Sequence, residues 1–207
     1  MTEGGGEPER QLYLVRHGQT EWASLGRHTG RTDIPLDDEG RAQAVTLGRR
    51  LAGHRFALVL SSPRARALDT AHLAGFGEVV AVDDDLREWD YGELEGLTTP
   101  EIRDRYPDWS IWTGPWPGGE TPTEVGDRAD RVIARCLDAA VDGDALLFAH
   151  GHLLRVLAAR WVGRPANGGR MFALGTATLG VLGWDRANRV IETWNEACLQ
   201  PLEPAGG

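Results

Sequence analysis

Apolar positions fall in short bursts separated by polar punctuation. Residues 12–15 (LYLV) form an apolar run that stops at Arg16 and His17. Residues 39–51 repeat apolar side chains at Ala42, Val45, Leu47 and Leu51, which roughly fits one face of a helix. Residues 56–60 (FALVL) are continuously apolar, as in a strand covered on both faces. Pro63 then suits the first turn of a helix reaching about Ala74. Residues 79–82 predict a further short strand. Thr121 and Glu124, with Pro122 between them, predict a helix start, and that helix runs to about Val141. Residues 145–149 (ALLFA) predict a second buried strand, followed by a helix over 153–161. Residues 179–184 and 190–194 alternate and predict a hairpin turning at 185–188.

Strands alternating with helices argue an α/β fold, a three-layer α/β/α sandwich on a mostly parallel central sheet. Length supports one domain: the chain has 207 residues, 41% of them hydrophobic, enough for one sizeable core. The expected division is a tail over 1–10, a domain over 11–200 and a tail over 201–207. Residues 93–120 break the alternation with Trp109, Trp112 and Trp116 among Pro and Gly, and read as an excursion over the active site.

The formal charge of −9 argues against nucleic acid, whose backbone demands clustered cations. No apolar stretch reaches the roughly 18 residues of a membrane span. The first residues carry neither a basic region nor an apolar one, so no signal peptide is read and a cytoplasmic location is expected. Cys136 and Cys198 lack metal-ligand spacing and cannot make a disulfide framework, although a single bridge stays open.

The chemistry gathers at strand ends. In parallel α/β sheets, ligands bind beyond the carboxyl ends of the strands. Three apolar runs end here in Arg16-His17-Gly18, in Ser61-Ser62-Pro63-Arg64-Ala65-Arg66 and in His150-Gly151-His152. If those ends converge, they form a cationic pocket in an acidic protein, an anion site that the N-termini of the following helices would reinforce. Each piece alone is weak. A lone RHG, a helix cap with solvated arginines, or an HGH metal half-site without nearby carboxylates would each have a bland explanation.

The ordered motifs VRHGQTEW, SSPRARALDTA, LREWDYGELEG and FAHGH resemble the histidine phosphatase superfamily, whose fold is an α/β/α sandwich. The resemblance implies a nucleophilic His17, with Arg16, Arg66 and His150 around the phosphoryl group and Glu88 as proton donor. It also implies pocket positions for Gln19, Thr29, Gly30 and Gly151. Arg64 stands where relatives are often apolar and only adds charge. The implied chemistry is in-line attack by neutral His17, with a backbone carbonyl fixing its tautomer and a protonated His150 adding charge. No metal and no cofactor are implied. Asp90, the Asp83–Asp85 run and Glu21 compete with Glu88 as the acid. The Asp run reads as a solvated loop, Asp90 as a structural group and Glu21 as a local contact.

Mutase relatives carry basic residues and Gly-Leu-Asn-Lys after the catalytic Glu. Here Trp89-Asp90-Tyr91 and Gly96-Leu97-Thr98-Thr99 stand in their place. That difference favours a phosphatase; RHTGRTDIPL, LREWDYGELEG and FAHGHLLR resemble the branch of the family that hydrolyses sugar phosphates, which implies small phosphorylated metabolites, sugar phosphates first, with inorganic phosphate as product. A phosphoglycerate mutase and a phosphoprotein phosphatase are the alternatives. The oligomeric state, monomer or homodimer, is left open.

Overall fold

The structure, a computed structural model, describes residues 10–138 and 142–198. Strand β1 (Leu12–Arg16) leads through a short helix, α1 (Glu21–Ser24), to α2 (Asp38–Leu51). Next come β2 (Leu58–Ser61), α3 (Ala65–Ala71), β3 (Ala81–Val82) and α4 (Thr99–Arg105). The chain then forms α5 (Pro122–Cys136), β4 (Ala145–Ala149), α6 (Gly151–Trp161), β5 (Thr178–Asp185) and β6 (Asn188–Ala197). The strands form one sheet in the order β3-β2-β4-β1-β5-β6. The first four in that order run parallel, and β5 and β6 close the other edge antiparallel.

Alternation along the strands divides the core in two. Leu12, Leu14, Ala145, Leu147 and Ala149 pack on one face with Val125, Val132, Leu153 and Leu157 of α5 and α6. Val15, Leu146 and Phe148 pack on the other with Leu47 of α2 and Ala71 of α3. The central strands are therefore apolar on both sides, which is why β4 reads as an unbroken run.

Helix termini follow local chemistry. The Asp37 side chain accepts the Gly40 N–H at 2.7 Å and starts α2, with Asp38 and Glu39 in its first turn and Arg49 and Arg50 in its last. Thr121 and Glu124 close a capping box on α5.

Several expected boundaries move. The helix after β2 begins at Ala65, capped by Arg64, so Pro63 precedes it; a wider helical turn over His72–Phe76 continues α3. Helix α5 stops at Cys136, and Val141 lies outside the described residues, as do the expected tails apart from Arg10 at one end. The excursion over 93–120 contains a helix that periodicity missed, α4, which carries its own capping box of Thr98 and Glu101. Its tryptophans pack: Trp109 and Trp112 are buried and Trp116 lies against them in the same core.

Both cysteines are free, and burial pushes the Cys136 thiol up to about 12. No helix among the described residues is long and apolar enough to cross a membrane.

Candidate active site

Parallel pairing brings the three strand ends together. Arg16 lies opposite Ala149 and Ser61 opposite Phe148. The ladder continues past the strands, since the His17 N–H donates to the Ala149 carbonyl at 3.0 Å and the Ser62 N–H to the Phe148 carbonyl at 2.9 Å. His17, Ser62 and His150 therefore sit side by side, with the rings of His17 and His150 edge to face at 5.1 Å.

His17 is buried, and its Nδ1 donates to the Gly18 carbonyl at 2.7 Å. That bond holds the proton on Nδ1 and leaves the Nε2 lone pair free, as the sequence reading expects. Burial, then the charges of Arg66 and Arg16, hold the His17 pKa well below the usual histidine range. The ring is a neutral nucleophile.

Arg66 is fully buried and fastened through all three of its guanidinium nitrogens. Its Nη1 donates to the Thr32 carbonyl at 3.0 Å, its Nη2 to the Thr29 carbonyl at 2.9 Å, and its Nε to His150 Nδ1 at 3.2 Å. A nitrogen that accepts from a guanidinium carries no proton. His150 is therefore the neutral Nε2–H tautomer, donating to Ser62 Oγ at 2.7 Å. Burial and the neighbouring Arg66 push its pKa well down in the same direction. The expected protonated His150 is corrected: the ring contributes a hydrogen bond and no charge.

Arg16 donates through Nη1 to the Leu174 carbonyl at 2.6 Å. Its buried Nε has no hydrogen-bond partner. A Cβ added at Gly151 would stand 3.3 Å from that same Nε, so the glycine lets the first turn of α6 close onto the guanidinium.

Glu88 is buried and wholly held by backbone. Oε1 accepts from the Trp89 and Leu153 N–H groups at 2.8 and 3.0 Å, and Oε2 from the His152 N–H at 3.0 Å. The expectation that helix N-termini face the substrate anion is therefore corrected. The first N–H groups of α6 hold Glu88, and the Ala65 N–H of α3 donates to Asp33 Oδ1 at 2.9 Å. Each terminus already has a carboxylate. The substrate's charge falls to arginine side chains instead.

Arg16, His17, Thr29, Glu88 and Gly151 line one cavity of about 270 Å³. Gly30 is one residue from Thr29, and its N–H donates to Glu95 at 2.9 Å. Glu95 also accepts from the Thr32 N–H at 3.0 Å, so it fastens the loop whose carbonyls hold Arg66.

Gly30, Arg66 and His150 stand behind that cavity without lining it, and Gln19 and Arg64 lie apart. Gln19 does not line the cavity; its N–H donates to Gln43 Oε1 at 3.0 Å and its carbonyl accepts from Asp37. Arg64 opens into a smaller cavity with Gly30, Arg31, Arg87, Glu88, Asp90 and Glu120.

The rival acids are occupied elsewhere. Asp90 pairs with Arg31 and accepts the Gly92 N–H at 3.1 Å, and Glu21 is exposed in the first turn of α1. The Asp run is no solvated loop. Asp83 and Asp85 pair with Arg131 and Arg135 at 2.6 to 2.8 Å, and the Asp85 carboxyl is held down to about 2, the Arg131 hydrogen bond first among the causes.

Residues missed by sequence complete the wall. Tyr91 Oη and His152 Nδ1 share a hydrogen bond at 2.6 Å, His28 stacks on His152 with ring centroids at 6.0 Å, and Arg27 and Arg155 share the cavity. Behind them, buried Arg128 binds Glu120 at 2.8 Å and the carbonyls of Asp85 and Arg87, fixing the approach to Glu88.

Residues 12–197 match the model of the histidine phosphatase superfamily (branch 1). An acid phosphatase of Mycobacterium tuberculosis (strain ATCC 25618 / H37Rv) is 45% identical over 188 residues, covering 89% of this chain and 91% of that protein. The sedoheptulose 1,7-bisphosphatase of Saccharomyces cerevisiae (strain ATCC 204508 / S288c) is 37% identical over 180 residues, covering 72% of this chain and 66% of its own. The solved structure of the product of open reading frame Rv3214 from Mycobacterium tuberculosis superposes with a TM-score of 0.88 at 42% identity, covering 93% of this chain and all of that one. The chain belongs to the histidine phosphatase superfamily, branch 1.

Proposed function

We propose that this phosphatase hydrolyses small phosphorylated metabolites, sugar phosphates first, through a phosphohistidine on His17. The observation that carries the reading is the neutral His17 ring, its Nδ1–H on Gly18 and its Nε2 lone pair free beside the guanidinium charges of Arg16 and Arg66.

Phosphate monoesters resist hydrolysis so strongly that the barrier to be removed exceeds ~20 kcal/mol. Two steps divide it. In the first, His17 Nε2 bonds to phosphorus as the ester P–O bond breaks, and Glu88 gives a proton to the departing alkoxide. In the second, water attacks phosphorus, Glu88 takes its proton, the P–N bond breaks, and inorganic phosphate leaves with His17 restored. Arg16 and Arg66 neutralise the phosphoryl oxygens, and His150 helps to hold Arg66 in place. Oε2 of Glu88 accepts a single backbone N–H, which leaves it the lone pair on which the proton travels. The charge comes from arginine, so turnover persists in a chelator.

Two relatives support the substrate class. One is named for acid phosphatase activity, and the other for hydrolysis of a sugar bisphosphate. The cavity of about 270 Å³ suits a short carbon skeleton better than a folded phosphoprotein segment. The test is phosphate release over sugar phosphates, phosphoglycerates and phosphopeptides with EDTA present. The reading expects release from the small esters. It fails if only peptides turn over, if phosphoglycerate is isomerised without release, or if EDTA abolishes activity.

A further inference from the structure

We infer that Glu95 is a positioning residue for the reaction: through the backbone of Gly30 and Thr32 it orders the carbonyls that aim Arg66 at the phosphoryl group, without neutralising the guanidinium. The inference rests on the phosphatase reading and adds to it a residue outside the cavity lining.

The connection runs through single peptide groups. Glu95 accepts the Gly30 N–H on both carboxylate oxygens, at 2.9 and 3.0 Å, and Oε1 also accepts the Thr32 N–H at 3.0 Å. The Gly30 N–H and the Thr29 carbonyl belong to one peptide group, and that carbonyl accepts from Arg66 Nη2 at 2.9 Å. The Thr32 carbonyl accepts from Nη1 at 3.0 Å. Hydrogen bonds in a chain polarise one another, so an anion at the N–H end of a peptide makes its carbonyl oxygen a stronger acceptor.

Backbone pairing brings Glu95 to this place. The His28 N–H donates to the Leu97 carbonyl at 2.9 Å, and the Gly96 N–H to the His28 carbonyl at 2.8 Å. Residues 96 and 97 therefore run beside residue 28, and the carboxylate meets the loop just after it. The approach is close, since a Cβ at Gly30 would stand 2.9 Å from Oε2. The start of the excursion thus braces the cradle of Arg66.

The two charges stay apart. Glu95 makes no ion pair among the described residues, and its hydrogen bonds there come from backbone N–H groups. A direct carboxylate–guanidinium pair would spend the charge of Arg66, and an intervening peptide leaves it for the substrate. Nη1 makes one bond to the loop and keeps a second N–H for a phosphoryl oxygen. A planar fork set by two carbonyls is sensitive to small shifts of either one.

The test is a double-mutant cycle on glycerol 3-phosphate, with Glu95→Gln and Arg66→Lys made singly and together. Gln keeps the shape and one acceptor oxygen and removes the charge. Alone, it is expected to lower kcat by on the order of tenfold, with a smaller change in KM. In the Arg66→Lys background the same change should cost less than about twofold, because the fork it aims is gone. A residue that only supports the fold would lower activity by the same factor in both backgrounds. Losses that multiply in this way, or a Glu95→Gln enzyme with wild-type kcat, overturn the inference. If Glu95→Gln does not fold, Glu95→Asp, with the charge on a shorter reach, enters the cycle with the same expectation. Calorimetric binding of vanadate to the four proteins runs the cycle without turnover. A wild type that releases no phosphate therefore overturns the phosphatase reading, while the vanadate cycle still decides the role of Glu95.

Discussion

Arg66 donates its Nε–H to Nδ1 of His150 across 3.2 Å, and that contact fixes the charge of the imidazole. The positive charge beside His17 therefore comes from guanidiniums, those of Arg16 and Arg66, and not from His150. The fork of Arg66 is spent on the carbonyls of Thr29 and Thr32 and on His150, which leaves its position fully determined by protein.

Arg66→Lys keeps the charge and loses that geometry. An ammonium cannot reach two carbonyls and a ring nitrogen as a planar fork does. Turnover should fall by about 10²–10³-fold, the usual cost of a misplaced transition-state donor. Steady-state kinetics on one small ester checks this, and loss below tenfold would show that position matters less than charge.

Glu88→Gln separates leaving groups. The amide oxygen still accepts a backbone N–H, but no proton can be passed to an alkoxide. Alkyl phosphates should slow by about 10²–10⁴-fold. Nitrophenyl phosphate, whose leaving group needs no proton, should slow much less. Equal losses on both would move the acid away from Glu88.

Buried histidines set the response of stability to acid. His17, His28, His150 and His152 all have pKa values lowered by burial in the folded state. The unfolded chain binds these protons more readily, near pH 6.5, so stability is complete above that value and is lost as pH falls below it. Each ring contributes up to about 1.4 kcal/mol per pH unit. Melting curves between pH 7.5 and 5 should show Tm falling, most steeply below about 6.5. A flat or rising Tm would contradict the neutral assignment.

Gly30→Ala tests the loop that carries Thr29. An added Cβ would stand 2.5 Å from the Trp89 carbonyl and 2.9 Å from Glu95 Oε2. Backbone must shift to relieve that contact, at a cost of about 1–3 kcal/mol. The shift also disturbs the Thr29 carbonyl that holds Arg66. Denaturant unfolding should show the loss together with reduced kcat/KM; unchanged values of both would remove the loop from the account.

Much of this was legible in the chain. Central strands covered on both faces must be apolar throughout, so β1, β2 and β4 stand out, and the polar residues ending them mark the site. The excursion was harder, because a helix of seven residues is too short to show a period. Its capping residues Thr98 and Glu101 carry the same spacing as Thr121 and Glu124 and would have found it. Tyr91, Glu95, Arg128 and Arg155 were missed for another reason. Each acts on groups distant in the chain, as in the Arg128 bond to the Asp85 carbonyl, and local pattern holds no trace of that. The charge on His150 is not legible locally either, since its tautomer depends on a guanidinium 84 residues away.

The central claim is phosphoryl transfer to His17 nitrogen. Rapid quenching of turnover with ³²P-labelled ester, followed by peptide mapping, tests it most directly. The account predicts an acid-labile, alkali-stable label on His17 that appears before the phosphate burst ends and is absent from His17→Ala, which has no turnover. Turnover at full rate with no label on His17, or a His17→Ala variant that still releases phosphate, would contradict it.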